Sequence, residues 1–180
     1  MTEENDSVFV KQCLEGNTRA FESIVEKYQK TVFNVAFKII NDREDAEDIA
    51  QSSFVKAFEK LDTFNPKYKF FSWLYRIVVN ESLNVLNQRK RLEGLDGRII
   101  SKEKTPEESY EDLETSENVE HALMDLAPDY RIVIVLKHFQ NLSYRDIGHI
   151  LEIPEKTVKS RLFTARQLLR NILLKKGIGR

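Results

Sequence analysis

Arg76, Asn80, Asn84, Asn87 and Arg91 follow one another at steps of four, four, three and four residues. On a helix that spacing lines them along one face. Asn disfavours a helix interior by about 0.6 kcal/mol relative to Ala, so three on one stripe are a local cost that propensity does not explain. Their amides and the flanking guanidinium groups hydrogen-bond well to base edges and phosphates. Just upstream, Phe64-Asn65-Pro66-Lys67-Tyr68-Lys69-Phe70 mixes cations with aromatic rings. That mixture suits single-stranded nucleic acid, where bases stack on rings and cations track the backbone. Residues 64–91 hold six basic residues and one acid.

A second cationic face lies near the C-terminus. Val158, Leu162, Ala165, Leu169 and Ile172 step by four, three, four and three, a buried helical stripe. One residue further on lie Lys159, Phe163, Arg166 and Arg170, with Lys156, Thr157 and Ser160 at the start of the same helix. Before it, Ser143-Tyr-Arg-Asp146 is a capping box that starts a short helix. Glu152-Ile153-Pro154 is the turn between the two, because Pro154 cannot continue a helix. Short helix, tight turn and longer basic helix make a helix-turn-helix, whose second helix enters a major groove. A solvated basic face would look the same in charge alone; the capping box and the turn favour DNA.

A third set is acidic: Asp42, Glu44, Asp45, Glu47 and Asp48. Carboxylates near a helix N-terminus are favourable there, which accounts for Asp42–Asp45. Asp48, Gln51, Ser52 and Val55 lie away from the buried stripe and read better as a protein-docking face. A divalent metal on paired carboxylates is the weaker reading, with no histidine before His121. His121, His138 and His149 lack ligand spacing, the six glycines form no phosphate loop, and nothing orders a catalytic triad. The expectation is no catalytic residue, no metal and no cofactor. Cys13 reads as a small buried hydrophobe.

The elements that must hold these faces are all helical. Helical periodicity runs over residues 18–40, with Asn17 as a plausible N-cap, and over about 43–61, with an inner face of Ala46, Ile49, Ala50, Phe54, Ala57, Phe58 and Leu61. A loop over 62–69 leads to a long helix over about 71–91, with Phe71, Leu74, Val78 and Val85 buried. Periodicity stops over 93–115 and resumes near Ser116, in a short helix that Pro128 ends. Three further helices follow, over 129–140, 143–151 and 155–176. No strand pattern appears, so the expected class is all-α, with three or four helices before an acidic flexible linker and four after it.

Charge supports two domains. Of 180 residues, 28 are Lys or Arg and 29 Asp or Glu. Residues 1–91 are balanced, with 14 of each sign; 92–118 carry 3 basic and 9 acidic residues, and 119–180 carry 11 and 6. The expected boundaries are 1–92, 93–115 and 116–180. One cysteine excludes a disulfide scaffold. No apolar run approaches the roughly 20 residues of a membrane span, and the N-terminus lacks a signal-peptide h-region. A cytoplasmic protein without membrane insertion is expected.

Asp45-Ala-Glu-Asp-Ile-Ala-Gln51, Phe71-Ser-Trp-Leu-Tyr-Arg-Ile77 with Asn80, Leu126-Ala-Pro-Asp-Tyr-Arg131, Leu142-Ser-Tyr-Arg-Asp-Ile-Gly148 and Thr157-Val-Lys-Ser-Arg-Leu162 occur in that order. Together they resemble a bacterial RNA polymerase sigma factor of the extracytoplasmic-function group. The resemblance covers nearly all the chain outside the linker. It implies a non-catalytic promoter-specificity subunit, serving a stress or envelope regulon under anti-sigma control. A region-two domain would dock on the clamp helices of core RNA polymerase and melt the minus-ten element of promoter DNA. A region-four domain would read the minus-thirty-five element and touch the polymerase flap.

Carried over by motif, Asp48, Gln51 and Ser52 sit where the family contacts core polymerase. Phe64, Asn65, Lys67, Tyr68, Lys69 and Phe70 sit where it captures a flipped base, and Arg76, Asn80 and Asn84 face that strand. Lys156, Thr157, Lys159, Ser160, Phe163 and Arg166 sit on the upstream recognition helix. Ser52 departs from the usual Glu, and Lys156 from the Gly that often precedes the Thr-Val pair. Two other classes remain on the residues alone. A stand-alone helix-turn-helix regulator would bind its operator without polymerase. A metal-dependent nuclease using Asp45 and Asp48 would lose activity in Asp48→Asn with DNA binding intact.

Overall fold

The computed structural model describes residues 3–96 and 112–178, with side chains described over 6–92 and 118–178. Among them every regular element is helical, and the chain falls into two bundles. The first holds α1 (Glu3–Leu14), α2 (Ala20–Ile40), α3 (Arg43–Glu59), a 3₁₀ turn at Leu61–Thr63 and α4 (Phe70–Asp96). The second holds α5 (Asp112–Met124), α6 (Pro128–Ile134), a π-helical turn at Val135–Phe139, α7 (Tyr144–Leu151) and α8 (Glu155–Lys175). Helix trims both ends of the segment expected to be linker: α4 continues through Asp96 and α5 begins at Asp112. The rest of it, 97–111, lies outside the described residues.

In the first bundle the periodic stripe of α2 is buried at Phe21, Ile24, Tyr28, Val32, Val35 and Ile39. The helix does not start at an Asn17 cap. Asn17 and Thr18 lend backbone carbonyls to the amides of Ala20 and Phe21, and Arg19 precedes the helix without a side-chain cap. Asn41 ends α2 in the left-handed region at φ 54°, which Asn tolerates better than most residues. Asp42 then caps α3 by accepting from the Asp45 amide at 3.0 Å. Leu61 belongs to the 3₁₀ turn rather than to α3, and Phe58 is 43% exposed instead of buried, its ring edge-on to Phe21. Phe58 sits in the last turn of the helix, one residue before its end at Glu59.

Helix α1 lacks a clear apolar period, and the sequence reading did not locate it. It is held from α2 by a buried polar contact: Asp6 receives the Lys27 ammonium at 2.5 Å and the Tyr28 hydroxyl at 2.7 Å. Cys13 is buried beside it as expected, and burial pushes its thiol pKa up. The core around the α3–α4 corner is aromatic, with Phe64, Phe70 and Trp73 in mutual ring contact and Tyr28 against Phe70.

The second bundle has an aliphatic core: Leu123, Ile132, Leu136, Ile147, Ile150 and Leu162 are all but fully enclosed. Pro128 starts α6 at its first turn, where a missing amide hydrogen costs nothing, and does not end α5, which stops at Met124. The bend between them is held by Arg131. Its guanidinium donates to the carbonyls of Leu123 (3.0 Å), Met124 (2.8 Å) and Leu126 (3.0 Å). A fourth bond, Nη1 to the Ile39 carbonyl at 2.5 Å, crosses to the end of α2. Desolvation lowers the Arg131 pKa, and Asp125 partly offsets it.

Candidate nucleic-acid interfaces

The 62–69 loop and α4 build the first face. Asn65 accepts the Lys67 amide through its side chain at 3.0 Å, and the Tyr68 amide bonds the Asn65 carbonyl at 3.0 Å. This tight turn lifts Lys67, Tyr68 and Lys69 into solvent, with Tyr68 half exposed. The expected role of Phe70 in ring capture is corrected: it is buried beneath the loop, against Tyr28 and Trp73. Phe64 is half-buried in the same cluster. Both rings form the floor on which the loop stands, because the α4 N-terminus needs an apolar seat there.

Along α4, Asn80, Asn84 and Asn87 are exposed, opposite buried Leu74, Val78 and Val79. Tyr75 is turned inward, and burial pushes its phenol up to about 12, so it stays neutral. Arg76 is partly buried and engaged across the bundles. Its Nη1 meets Glu152 Oε1 at 2.9 Å, and Nη2 donates to the His149 carbonyl.

The second face rests on the helix-turn-helix. Ser143 Oγ accepts the Asp146 amide at 3.0 Å, as the capping box requires. Glu152 ends α7 at φ 55°. Gly148 has no freedom to carry a side chain, because a Cβ there would lie 2.9 Å from the Ile153 carbonyl. The turn therefore packs directly on α7, a close approach that the sequence reading did not single out. Val158, Leu162 and Ala165 are buried as the stripe predicts, with Leu169 and Ile172 partly so. This turns Lys156, Lys159, Ser160 and Phe163 outward, with Phe163 65% exposed, while Thr157 is partly buried. Lys159 pairs with Glu155 at 2.7 Å, which raises its pKa.

Arg166 sits apart from the start of that helix. Its Nε donates to His138 Nε2 at 3.2 Å. Both line an apolar groove of about 520 Å³ with Leu123, Ile134, Phe139 and Leu173. The π-helical turn supplies His138 and Phe139 to its wall, with His138 bonded to α8.

On α3, Asp48 and Gln51 are exposed and Ser52 is partly so, its hydroxyl donating to the Ile49 carbonyl at 3.1 Å. Val55, one turn on, is 52% exposed, so an apolar centre sits among polar neighbours. Asp45 is excluded from this face: with Asp42 it receives the Arg89 guanidinium from α4. No helix among the described residues is long and apolar enough to cross a membrane.

The family model for Sigma-70 region 2 matches residues 24–92, and that for Sigma-70 region 4 matches residues 116–169. The chain is 34% identical to the ECF RNA polymerase sigma factor SigW of Bacillus subtilis, over 91% of this chain and 94% of that protein. It is 32% identical to the RNA polymerase sigma-H factor of Pseudomonas aeruginosa, over 94% of each. Among solved structures, CnrH in complex with the cytosolic domain of CnrY matches with a TM-score of 0.73 at 27% identity, over 94% of this chain and 97% of that one. The sigma factor RpoE in complex with the anti-sigma factor NepR, from Bartonella quintana, matches with a TM-score of 0.72 at 27% identity, over 85% and 96%. The exposed Asp48–Val55 face of α3 and the loop and stripe of α4 lie within the region-two match, and the helix-turn-helix lies within the region-four match. The chain belongs to the extracytoplasmic-function group of RNA polymerase sigma factors.

Proposed function

We propose that this sigma factor divides its work between the two bundles and performs no catalysis itself. Core RNA polymerase makes the RNA; this chain supplies the promoter address and the melting. The first bundle, over about residues 1–92, docks through Asp48, Gln51 and Ser52 around Val55 onto the clamp helices. Its loop offers Tyr68 as a stacking platform, with Asn65, Lys67 and Lys69 around it, and Arg76, Asn80 and Asn84 continue along the strand. Phe64 and Phe70 support the loop from below. The second bundle, from about residue 116, reads the upstream element through Lys156, Thr157, Lys159, Ser160 and Phe163. Arg166 flanks that surface and borders the groove, which suits the polymerase flap.

Melting without ATP is energetically reasonable. Base–aromatic stacking is worth roughly 1–3 kcal/mol per base, against about 1.4 kcal/mol for a DNA stacking step. Two weak DNA contacts on one chain act as an avid pair once the polymerase fixes their separation. An anti-sigma partner is the expected regulator, as RpoE of Bartonella quintana is in complex with the anti-sigma factor NepR in a structure that this chain resembles.

The observation that carries this reading is the exposed Asn80–Asn84 stripe beside a raised Lys-Tyr-Lys turn, on a bundle separate from the helix-turn-helix. Run-off transcription from a promoter library, with core polymerase and with or without the chain, tests it. Chain-dependent initiation at a discrete promoter class is expected. Tight operator binding by the chain alone, with no initiation, would replace it with a stand-alone regulator.

A further inference from the structure

We propose that Glu155 is a specificity-determining residue of the upstream reader, and that together with Lys159 it selects one G·C pair. The inference rests on the assignment of the start of α8 to duplex DNA. Glu155 opens α8 and is exposed, as are Lys156, Lys159, Ser160 and Phe163. It is the sole acid between Ile153 and Arg180. A carboxylate on a surface that meets phosphates repels them, so by charge alone it weakens the reader. The helix dipole favours an acid in the first turn, but that does not account for the partner this one holds.

Glu155 Oε1 lies 2.7 Å from the Lys159 ammonium, one turn on along the same face. The Tyr144 ring, from the first residue of α7, stands 5.5 Å from the same nitrogen. On a solvated face such a pair would only lend the helix slight support. Here it stands beside Ser160 and Phe163, at the end of the helix that meets base edges. A lysine on a duplex is ordinarily a flexible point charge that settles on phosphate. A carboxylate and a ring hold this one in place before DNA arrives, and that preorganisation favours a directed contact.

The count of donors points to the base pair. An ammonium has three hydrogens and accepts nothing. Glu155 takes one of them, which leaves two. In the major groove guanine presents two neighbouring acceptors, N7 and O6, and its cytosine presents the N4 amine beside them. Lys159 gives its free hydrogens to the guanine while Glu155 accepts from the cytosine amine. An A·T pair interrupts its two acceptors with the adenine amine, which sets a donor against the ammonium.

The test reads base preference rather than affinity alone. Core RNA polymerase with the full chain is offered promoter duplexes randomised over the upstream element, and the bound templates are sequenced. The wild type should prefer G·C at one position. Glu155→Ala and Lys159→Ala should each relax that same position about tenfold, within the range of one good base contact, and the double variant should relax it no further. Glu155→Ala should also bind duplex of scrambled upstream sequence about twofold tighter, because a repelled carboxylate is gone. Glu155→Asp keeps the charge in the first turn but shortens the arm to Lys159. It should fold as stably as the wild type and still lose the preference.

Equal weakening at every position in Glu155→Ala would make Glu155 a structural acid and overturn the proposal. So would relaxation at different positions in the two single variants, an A·T preference at the shared position, or full preference in Glu155→Asp. A preference that survives in Glu155→Ala sinks only the selection by this residue. A wild-type chain that shows no preference anywhere in the upstream element sinks the assignment of α8 beneath it.

Discussion

The two faces proposed to meet nucleic acid are built on opposite plans. The face on α8 is largely bare: Phe163 projects into solvent, Lys159 pairs with Glu155 of its own helix and lies over the Tyr144 ring, and only Arg166, further along, bonds the π-helical turn through His138. The face on α4 is half covered, its Tyr68–Arg76 end met by α7 and only its asparagine end open. The supports differ too. The α4 loop stands on interlocked aromatic rings, whereas α8 packs on an aliphatic core pinned by one buried cation. A duplex presents its groove to any rigid helix, so the reader of duplex can stay exposed. A melted strand has to be captured, and a surface that captures bases and phosphates also attracts a ring and carboxylates from its own chain.

The sharpest way to break the contrast in support is Arg131→Met. It keeps the length of the side chain and removes the donors that reach the carbonyls of Leu123, Met124, Leu126 and Ile39, of which Leu123 keeps the Leu126 amide. A loss of about 3 kcal/mol is expected, since buried acceptors left unsatisfied forfeit roughly 1–3 kcal/mol each and partial relaxation recovers some of that. Denaturant titration of the full chain measures it. The counterpart in the first bundle, Asp6→Asn, keeps an oxygen acceptor that Tyr28 and the largely buried Lys27 can still use and removes only the charge, so about 1.5 kcal/mol is expected there. Equal losses would mean that neither bundle depends on a single polar group more than the other.

Gly148→Ala comes next and acts on the second bundle alone. The added methyl would press on the Ile153 carbonyl, and a backbone carbonyl in a tight turn cannot rotate away. A destabilisation of about 2 kcal/mol is expected, in the range of overpacked cores, together with weaker binding of upstream duplex DNA. Opening at a promoter whose upstream element is dispensable should survive. Loss of both functions at once would show that the turn also governs the first bundle.

These two residues mark what the sequence could and could not reveal. Both helix-turn-helix helices, the capping box, the buried α8 stripe and the α4 stripe were legible because period and capping are local properties. Arg131 was seen only as part of a family motif, since nothing local shows that its guanidinium collects carbonyls from α5 and from the end of α2. Gly148 was passed over because a helical glycine shows its purpose only when the turn folds back on it. Phe70 was misplaced for the opposite reason. An aromatic in a cationic loop looks like a stacking ring until Tyr28, from 42 residues upstream, is seen beneath it. Helix α1 escaped because a buried Asp6 rather than a regular apolar stripe ties it down.

A smaller effect separates the two faces by function. Asn80→Ala should impair promoter opening, read as permanganate reactivity of the melted strand, and leave upstream binding intact. It should also stabilise the free chain by about 0.6 kcal/mol, the helix propensity difference, because Asn80 is exposed and its structural value is low. Lys159→Ala should do the reverse, weakening upstream duplex binding with opening spared and stability essentially unchanged. If both variants fail at the same step, the division of labour between the bundles is wrong.

The smallest expected effect is a pH dependence confined to the second bundle. His138 accepts the Arg166 Nε hydrogen through Nε2, which only a neutral imidazole can do. Desolvation first, then Arg166 and Lys137, hold its pKa below the ordinary value of 6.5. The unfolded chain therefore binds more protons than the folded one between the depressed value and 6.5. Stability linked to this group is present above 6.5 and falls away as pH drops through the folded value. Denaturant midpoints measured between pH 7.5 and 5 should decline for the wild type and decline less for His138→Gln, whose amide oxygen can still accept from Arg166 without taking up a proton. Parallel declines in the two proteins would place the pH sensitivity outside the groove, and with it any claim that the two bundles respond differently to acid.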